Sequence, residues 1–172
     1  MVDFLHHSPS DIIRHLLIQL GVGSNPDPSP IDPWPIFESS EPEVPDEIIT
    51  VLGQKGKTYG RNQLTGETIE KPGVQFRIRA TVSNSAFQKA SELAAVLDQE
   101  ILNSVVVVAD VKTGISYVYV VENVNRSHGS AINCGNVVPL GKSSPATPGI
   151  TAPSSTRNLF TINAIVSVRN QG

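Results

Sequence analysis

The sequence predicts an α+β fold in which an antiparallel β-sheet carries two α-helices packed on one face, with long loops between the elements. Two segments place apolar residues at the 3.6-residue spacing of a helix, and several others alternate apolar and polar residues as half-buried strands do. The predicted order is α-β-β-β-α-β-β-β. Because 172 residues is an ordinary length for one domain and no repeat is visible, residues 1–172 are predicted to form a single domain.

The first helix has clear signals at both ends. Ser8 is a favourable N-cap, Pro9 suits the first helical position, and Asp11 lies near the positive end of the helix dipole. Gly21 is predicted to end the helix in a left-handed conformation. The apolar stripe between these signals consists of Ile12, Ile13, Leu16, Leu17 and Leu20.

The next fifty residues are dominated by proline, glycine and acidic side chains. Five prolines exclude a regular element over Val22–Pro35. Short strands are predicted at Trp34–Phe37 and Ile48–Val51, separated by an acidic turn that contains two prolines. The polar region of about residues 53–72 is predicted as a loop, either a long hairpin or a mobile segment.

A strand with period-two alternation follows from Gly73. One face is apolar and is predicted to be buried, whereas the other is predicted to be polar, positive and outward-facing. The apolar residues are Val74, Phe76, Ile78 and Ala80, and the outward residues are Gln75, Arg77, Arg79 and Thr81.

The second helix is predicted to begin at a capping box formed by Ser85 and Gln88 and to end near Leu102. The continuous β-branched run Val105–Val108 then predicts a strand covered on both faces. Turn residues at Lys112–Gly114 indicate a hairpin with Tyr117–Val121. The predicted core stripe of this helix consists of Phe87, Ala90, Ala94, Leu97 and Ile101.

The last third contains a long loop and a closing strand. The loop, about residues 125–157, is rich in Gly, Pro, Ser and Asn, and loops of this length are usually functional or order on binding. Alternation over Leu159–Val168 predicts the final strand.

Charge is unevenly distributed along the chain, although the net charge is only -3. Residues 22–54 contain seven acids and no Lys, Arg or His, whereas residues 111–172 contain five cations and one acid. Two interpretations remain open: a solvated acidic loop, or complementarity between an acidic edge of one copy and a basic edge of another. The acids are Asp27, Asp32, Glu38, Glu41, Glu43, Asp46 and Glu47.

The sequence contains no recognisable catalytic or metal-binding motif. His7 and His15 lack a third zinc ligand, and the single Cys134 excludes an internal disulfide framework. Glycines at residues 53–60 do not match a phosphate loop. The chain is therefore predicted to be a non-enzyme with no cofactor. A basic groove for nucleic acid is not indicated either, because the pI is about 5.8 and basic and aromatic residues do not interleave.

No targeting or membrane segment is predicted. The N-terminus lacks the basic and apolar regions of a signal peptide, and the longest strongly apolar stretch, Val105–Ala109, is far shorter than a membrane helix. We expect a soluble protein that is made in the cytoplasm.

A resemblance to a known family is carried by Ser8–Leu20, by Trp34–Phe37 followed by Pro42–Ile49, by Lys71–Ala80 followed by an Ala-rich helix, and by Arg157–Asn163. These stretches resemble the tail-terminator, or minor capsid (tail completion), proteins of long-tailed bacteriophages. In that family a Pro-Gly-(Val/Ile)-x-(Val/Phe)-x-(Val/Ile)-Arg-(Ala/Gly) strand precedes such a helix. The chain departs from the pattern at Arg77, in the excursion Gln54–Glu70 and in the loop Gly135–Ser155.

The resemblance implies a homo-oligomeric ring, commonly of six subunits, in the virion neck at the head–tail junction. Such a ring terminates the tail tube and joins it to the head connector. Partners would be further copies, the tail tube protein and the connector or stopper protein, with DNA passing through the ring without specific binding. The protein would lie in the host cytoplasm during assembly and would not bind membranes.

Charged residues are the predicted contacts of this ring. The acids of residues 22–54 are predicted to form an acidic edge or to line the channel. The alternative is another neck or head-completion protein, and a more remote one is a small hydrolase or nucleotide-binding enzyme with a polar pocket. The predicted subunit, tube or connector contacts are Lys55, Lys57, Arg61, Arg77, Arg79, Arg126, Lys142 and Arg157.

Overall fold

The fold is α+β, and strands dominate it. The computed structural model describes residues 5–26, 34–61, 63–64, 66, 68–99, 101–110, 112–126, 133–137 and 157–171. In chain order the elements are α1 (Pro9–Gln19), β1 (Ile36–Glu38), β2 (Ile48–Arg61), β3 (Thr68–Ala80), α2 (Ser83–Gln99), β4 (Leu102–Ala109), β5 (Ser116–Arg126), β6 (Asn133–Val137) and β7 (Arg157–Asn170).

All described strands belong to one sheet, which curls into a half-barrel. Its order is β1-β2-β3-β7-β5-β4, and β6 pairs with β7 beside this path. The prediction of a purely antiparallel sheet is wrong, because β1 pairs with β2 in parallel, with Ile36 opposite Ile49. The other pairings are antiparallel.

The capping and termination signals predicted for helix α1 are confirmed. The Ser8 side chain accepts a hydrogen bond from the Asp11 backbone N–H at 3.1 Å, and Pro9 occupies the first turn. Gly21 follows the helix with φ of 73°, the left-handed conformation that favours glycine. The apolar stripe faces the core, since Ile12, Ile13, Leu16 and Leu17 are all fully buried.

Of the two alternatives predicted for residues 53–72, a long hairpin or a mobile segment, the structure has the long hairpin. Strand β2 continues to Arg61, and β3 begins at Thr68. Their pairing runs from Ile48 opposite Arg79 to Arg61 opposite Thr68, with two register shifts. The sequence lacks apolar alternation here because most side chains described in the outer part of the hairpin are exposed, so composition alone could not separate it from a loop.

Strand β3 lies between β2 and β7, and its apolar face is buried as predicted. The prediction that its second face points outward is wrong at Arg79, whose exposed fraction is 4%. Residues 41–45 cover the sheet there, and four of them bond to the Arg79 side chain.

Helix α2 begins two residues before the predicted capping box. Ser85 therefore lies inside the helix, where its hydroxyl donates to Glu47 at 3.3 Å, and the predicted cap is wrong. The helix ends at Gln99, and Leu102 starts β4. Phe87 is half-exposed, while Leu93 and Val96 join the core, so the buried stripe is rotated from the predicted one.

Strands β4 and β5 form the predicted hairpin, with Gly114 at φ of 69° in the turn. The prediction that both faces of the valine run are covered is wrong. Val106 and Val108 are buried, whereas Val105 and Val107 are 46% and 55% exposed. Val106 and Val108 point towards the hydrophobic core, whereas the alternating Val105 and Val107 point to the opposite face of β4.

The predicted loop at residues 125–157 contains a further strand and parts of two others. Strand β5 extends to Arg126, β6 spans Asn133–Val137, and β7 begins at Arg157. One edge of β7 pairs with β3, and β5 and β6 pair with successive parts of the other edge. Cys134 lies in β6 opposite Phe160. The remainder of this loop lies outside the described residues.

One hydrophobic core joins the sheet and both helices. Fully buried side chains from α1, α2 and strands β1, β2, β3 and β5 supply most of its volume. The largest are Ile12, Ile13, Leu16, Leu17, Ile36, Ile49, Phe76, Ile78, Leu93, Leu97 and Tyr119.

Candidate functional site

Arg79 is the centre of a buried polar cluster. Its Nη2 donates to the carbonyl oxygens of Pro42, Glu43 and Pro45 at 2.7, 3.1 and 2.8 Å. Its Nη1 donates to Glu41 at 3.2 Å. Burial lowers the pKa of Arg79, and Glu41 opposes this shift, but a guanidinium remains charged at neutral pH. Arg79 therefore fixes residues 41–45 against the sheet, and we call this cluster the arginine clamp.

Two more predicted contact cations are paired within the chain next to the clamp. Arg77 Nη1 lies 3.0 Å from Glu41, and Arg157 Nη2 lies 2.7 Å from Asp46. One interpretation of the sequence paired these opposite charges between copies, and the structure pairs them within one copy. Whether these residues contact a neighbouring subunit stays a prediction.

The remaining predicted acids of residues 22–54 fall into three groups. Glu38 accepts hydrogen bonds from Ser8 and Ser10 at 2.5 and 2.9 Å, and Glu47 accepts one from Ser85. Glu43 is exposed. Asp27 and Asp32 lie outside the described residues. Four of the seven acids therefore bond to serines or arginines of their own chain. Their role in lining a channel stays a prediction.

Two further cations on the body of the molecule, Arg126 and Arg169, are also paired. Arg126 forms a bidentate pair with Asp98, and this hydrogen bonding raises the pKa of Arg126. Arg169 lies 3.3 Å from Glu122. Lys142, another predicted contact, lies outside the described residues.

The outer part of the β2–β3 hairpin forms a basic projection. We call residues 54–61 and 68–72 the hairpin arm; β7 pairs with β3 only from Gly73 onward, so the arm is two-stranded. It carries the predicted contacts Lys55, Lys57 and Arg61 together with Lys71, which the prediction missed. The structure describes no ion pair for any of the four.

Tyr59 is the aromatic residue of the arm and is 51% exposed. The ammonium groups of Lys57 and Lys71 lie 5.3 and 5.5 Å from its ring centroid, within the range of cation–π attraction. Basic and aromatic side chains therefore interleave here, contrary to the sequence interpretation. The pairing of β2 with β3 places Lys71 opposite Lys57. The two residues are far apart in the sequence, so the sequence around either one does not reveal their proximity.

A second exposed surface lies on β4 and β5. Val105, Val107 and Val118 are 46%, 55% and 36% exposed, and Val107 pairs directly with Val118. We call these three residues the valine surface. The Val105 carbonyl accepts a hydrogen bond from the Gln19 side chain at 3.2 Å, and α1 thereby covers part of the β4 edge. Exposed apolar surface on an edge strand is typical of protein–protein contact.

A histidine–tyrosine cluster fixes the N-terminal segment to β5. His7 Nδ1 lies 2.8 Å from the hydroxyl of Tyr119, a fully buried side chain whose pKa is raised by burial. His6 stacks on Tyr117 with ring centroids 4.3 Å apart. His15 lies nearby on α1, and burial lowers its pKa while Asp11 opposes the shift.

An open cavity of about 770 Å³ adjoins this cluster. His6 and Ser116 both line it, but no hydrogen bond joins them as a nucleophile and a base would require. Across the residues that the structure describes, no group of three or more His, Cys, Asp or Glu side chains is arranged to hold a metal ion. The remaining lining residues are Tyr117, Val118, Asn170 and Gln171.

Comparison with known proteins adds no assignment. No protein-family model matches the chain, and no curated protein matches it significantly in sequence. Within the described part of the chain, no helix is long and apolar enough to cross a membrane.

Proposed function

We propose that the chain is a structural assembly subunit of a tailed bacteriophage that forms the ring terminating the tail tube and joining it to the head connector. It would act through surfaces shared with neighbouring subunits and not through catalysis. The resemblance of Lys71–Ala80 and the following helix to tail-terminator proteins supports the phage assignment.

The valine surface is the observation that supports assembly most directly. Val105 and Val107 expose about half of each side chain on an edge strand that has one described neighbour. Burying a whole valine side chain stabilises by about 1.5–3 kcal/mol, so covering these half-exposed valines and Val118 gains about 2–4 kcal/mol per copy. A second copy of the chain is the partner that a ring supplies.

We also propose that α1 and α2 pack on one and the same face of the curled sheet. Buried residues of both helices share a core with Val74 and Phe76, which point to one face of β3. Val106 and Val108 join that core, while the alternating Val105 and Val107 do not. This arrangement leaves the opposite face of β4 free for a neighbouring subunit.

The mass of the protein in solution tests the assembly proposal. We expect the full chain to form a closed oligomer by light scattering, and the double variant Val105→Lys, Val107→Lys to dissociate into monomers that keep the native circular dichroism spectrum. Lysine at these half-exposed positions adds repulsion between copies but reaches solvent within one copy.

Val82→Lys is the matched control, because Val82 is 57% exposed but lies away from β4, between β3 and α2. This variant should keep the mass of the wild-type oligomer. A wild-type chain that stays monomeric at high micromolar concentration would contradict the proposal, and so would an oligomer that the β4 substitutions leave intact.

A further inference from the structure

The cations of the hairpin arm differ from those of the rest of the molecule in their ion pairing. On the body of the molecule, seven of the eight described Lys and Arg residues lie within 4 Å of an acid, and Lys112 is the exception. The four cations of the arm have no such partner among the described residues, although Glu70 lies on the same arm. The paired set is Arg14, Arg77, Arg79, Lys89, Arg126, Arg157 and Arg169.

This contrast gives the arm a local charge opposite to that of the chain. Residues 54–72 carry four cations against Glu67 and Glu70, a net charge of +2, whereas the rest of the chain carries -5. A local basic surface on an acidic protein attracts an anionic partner to one place and disfavours contact elsewhere.

The arm also places like charges directly opposite each other. Lys57 and Lys71 are cross-strand partners, and both ammonium groups lie close to the single ring of Tyr59. Like charges at opposed positions of a two-stranded sheet are destabilising. An anion bound between the two ammonium groups would relieve the repulsion between them. Binding of an anion should therefore stabilise the arm.

The shape of the arm indicates which anion it fits. Two antiparallel strands with exposed side chains form a β-ribbon, and the major groove of B-form DNA admits a two-stranded ribbon. From Lys57 to Arg61 the strand rises by about 13 Å, a length over which duplex DNA presents several phosphates. Duplex RNA has a major groove too narrow for such a ribbon.

The described acids of residues 34–54 on another copy of the chain, Glu43 apart, fit the arm less well. Glu38, Glu41, Asp46 and Glu47 already bond to serines or arginines of their own chain. Contact with the arm would compete with those bonds, whereas phosphates bring charges that no group of this chain has neutralised.

We propose that the hairpin arm binds the phosphate backbone of double-stranded DNA without sequence preference. Lys55, Lys57, Arg61 and Lys71 supply the positive charges, and Tyr59 holds two of the ammonium groups together. This activity does not depend on the proposed ring, since a single copy carries the complete arm.

Fluorescence anisotropy with a labelled 30-base-pair duplex tests the proposal on the full-length protein. Four phosphate contacts predict a slope of log K against log salt concentration of about -3.6, so affinity should fall on the order of 100-fold between 50 and 200 mM salt. The variant with all four arm cations changed to Gln should lose binding. Each single change, such as Lys57→Gln, should reduce the slope by about 1.

Lys112→Gln is the matched control, because Lys112 is exposed in the β4–β5 turn and the structure describes no acid paired with it. It should bind as the wild type does. Retained circular dichroism and thermal stability of the arm variants would show that the fold is intact.

Three results would overturn the proposal. One is the absence of duplex binding at 50 mM salt. Another is binding that the fourfold arm variant retains. The third is equal competition by polyglutamate at matched charge, which would indicate an acidic protein partner instead of DNA.

Discussion

Replacing Arg79 tests whether the arginine clamp stabilises the fold. Arg79 is 4% exposed and donates four hydrogen bonds of 2.7–3.2 Å to residues 41–45. In the variant Arg79→Met, three carbonyl oxygens and one carboxylate oxygen lose their donor. Because the acidic turn covers the outer face of β3 at this point, we expect it to detach from the sheet.

The expected loss follows from these contacts. A hydrogen bond to a charged group contributes about 1.5–3 kcal/mol, and three of the four bonds share one nitrogen, so they do not add fully. Breaking a buried ion pair by removing one partner typically costs about 3–5 kcal/mol, and we expect Arg79→Met to lie in this range. Arg79→Lys should recover part of the loss, since one ammonium reaches fewer of the four acceptors.

Urea unfolding at fixed protein concentration measures this loss, with the fluorescence of buried Trp34 as the probe. Arg77→Met is the matched control, because Arg77 is on the same strand and pairs with the same Glu41, but its side chain is 31% exposed. We expect a loss below about 1 kcal/mol for this control. Losses in the free energy of unfolding that agree within about 0.5 kcal/mol for the two variants would contradict the claim that Arg79 stabilises the fold.

Two further predictions concern α1 and the base of the hairpin arm. Burial lowers the pKa of His15 below its ordinary value of 6.5, so the unfolded chain binds the proton more readily. The contribution of His15 to stability should be fully present above about pH 6.5 and be lost as the pH falls from there through the lowered pKa of the folded state. The melting temperature of His15→Gln should therefore fall less than that of the wild type over this range. A Cβ at Gly56 would lie 1.9 Å from the Lys71 carbonyl oxygen, so Gly56→Ala should remove hydrogen-exchange protection from the arm, whereas Gly53→Ala, whose nearest contact is Ser10 at 3.7 Å, should not. Unchanged pH dependence in the first variant, or unchanged arm protection in the second, would contradict the respective argument.

Sequence patterns predicted the parts of the fold that local chemistry determines. The Ser8 cap, the α1 stripe and the alternation of β3 depend on residues near one another in the chain, and the structure confirms them. The parallel pairing of β1 with β2 depends on which strands lie side by side, and the exposure of Val105 depends on what packs on each face of the sheet. A run of valines is compatible with a strand covered on both faces and with one covered on a single face, so the sequence could not distinguish the two.

The candidate surfaces also combine features that the local sequence determines with features that depend on contacts between distant segments. Lys55, Lys57 and Arg61 were predicted contacts because of their charge, and they do lie on an exposed arm. Arg79 has the same charge but is buried, because residues 41–45 fold back over its strand. One signal in the sequence bears on this difference: residues 41–46 combine acids with two prolines, a composition suited to a fixed turn that a cation can hold.

Imaging of the tailed-phage particles in which the proposal places this chain tests the proposed function most directly. Labelled antibody against the chain, or a reconstruction of the neck by electron microscopy, locates its copies along the particle. The account predicts a closed ring of this chain between the tail tube and the head connector, with the valine surface buried between neighbouring copies. Virions that lack the chain, or that carry it at a site other than the neck, would contradict the account.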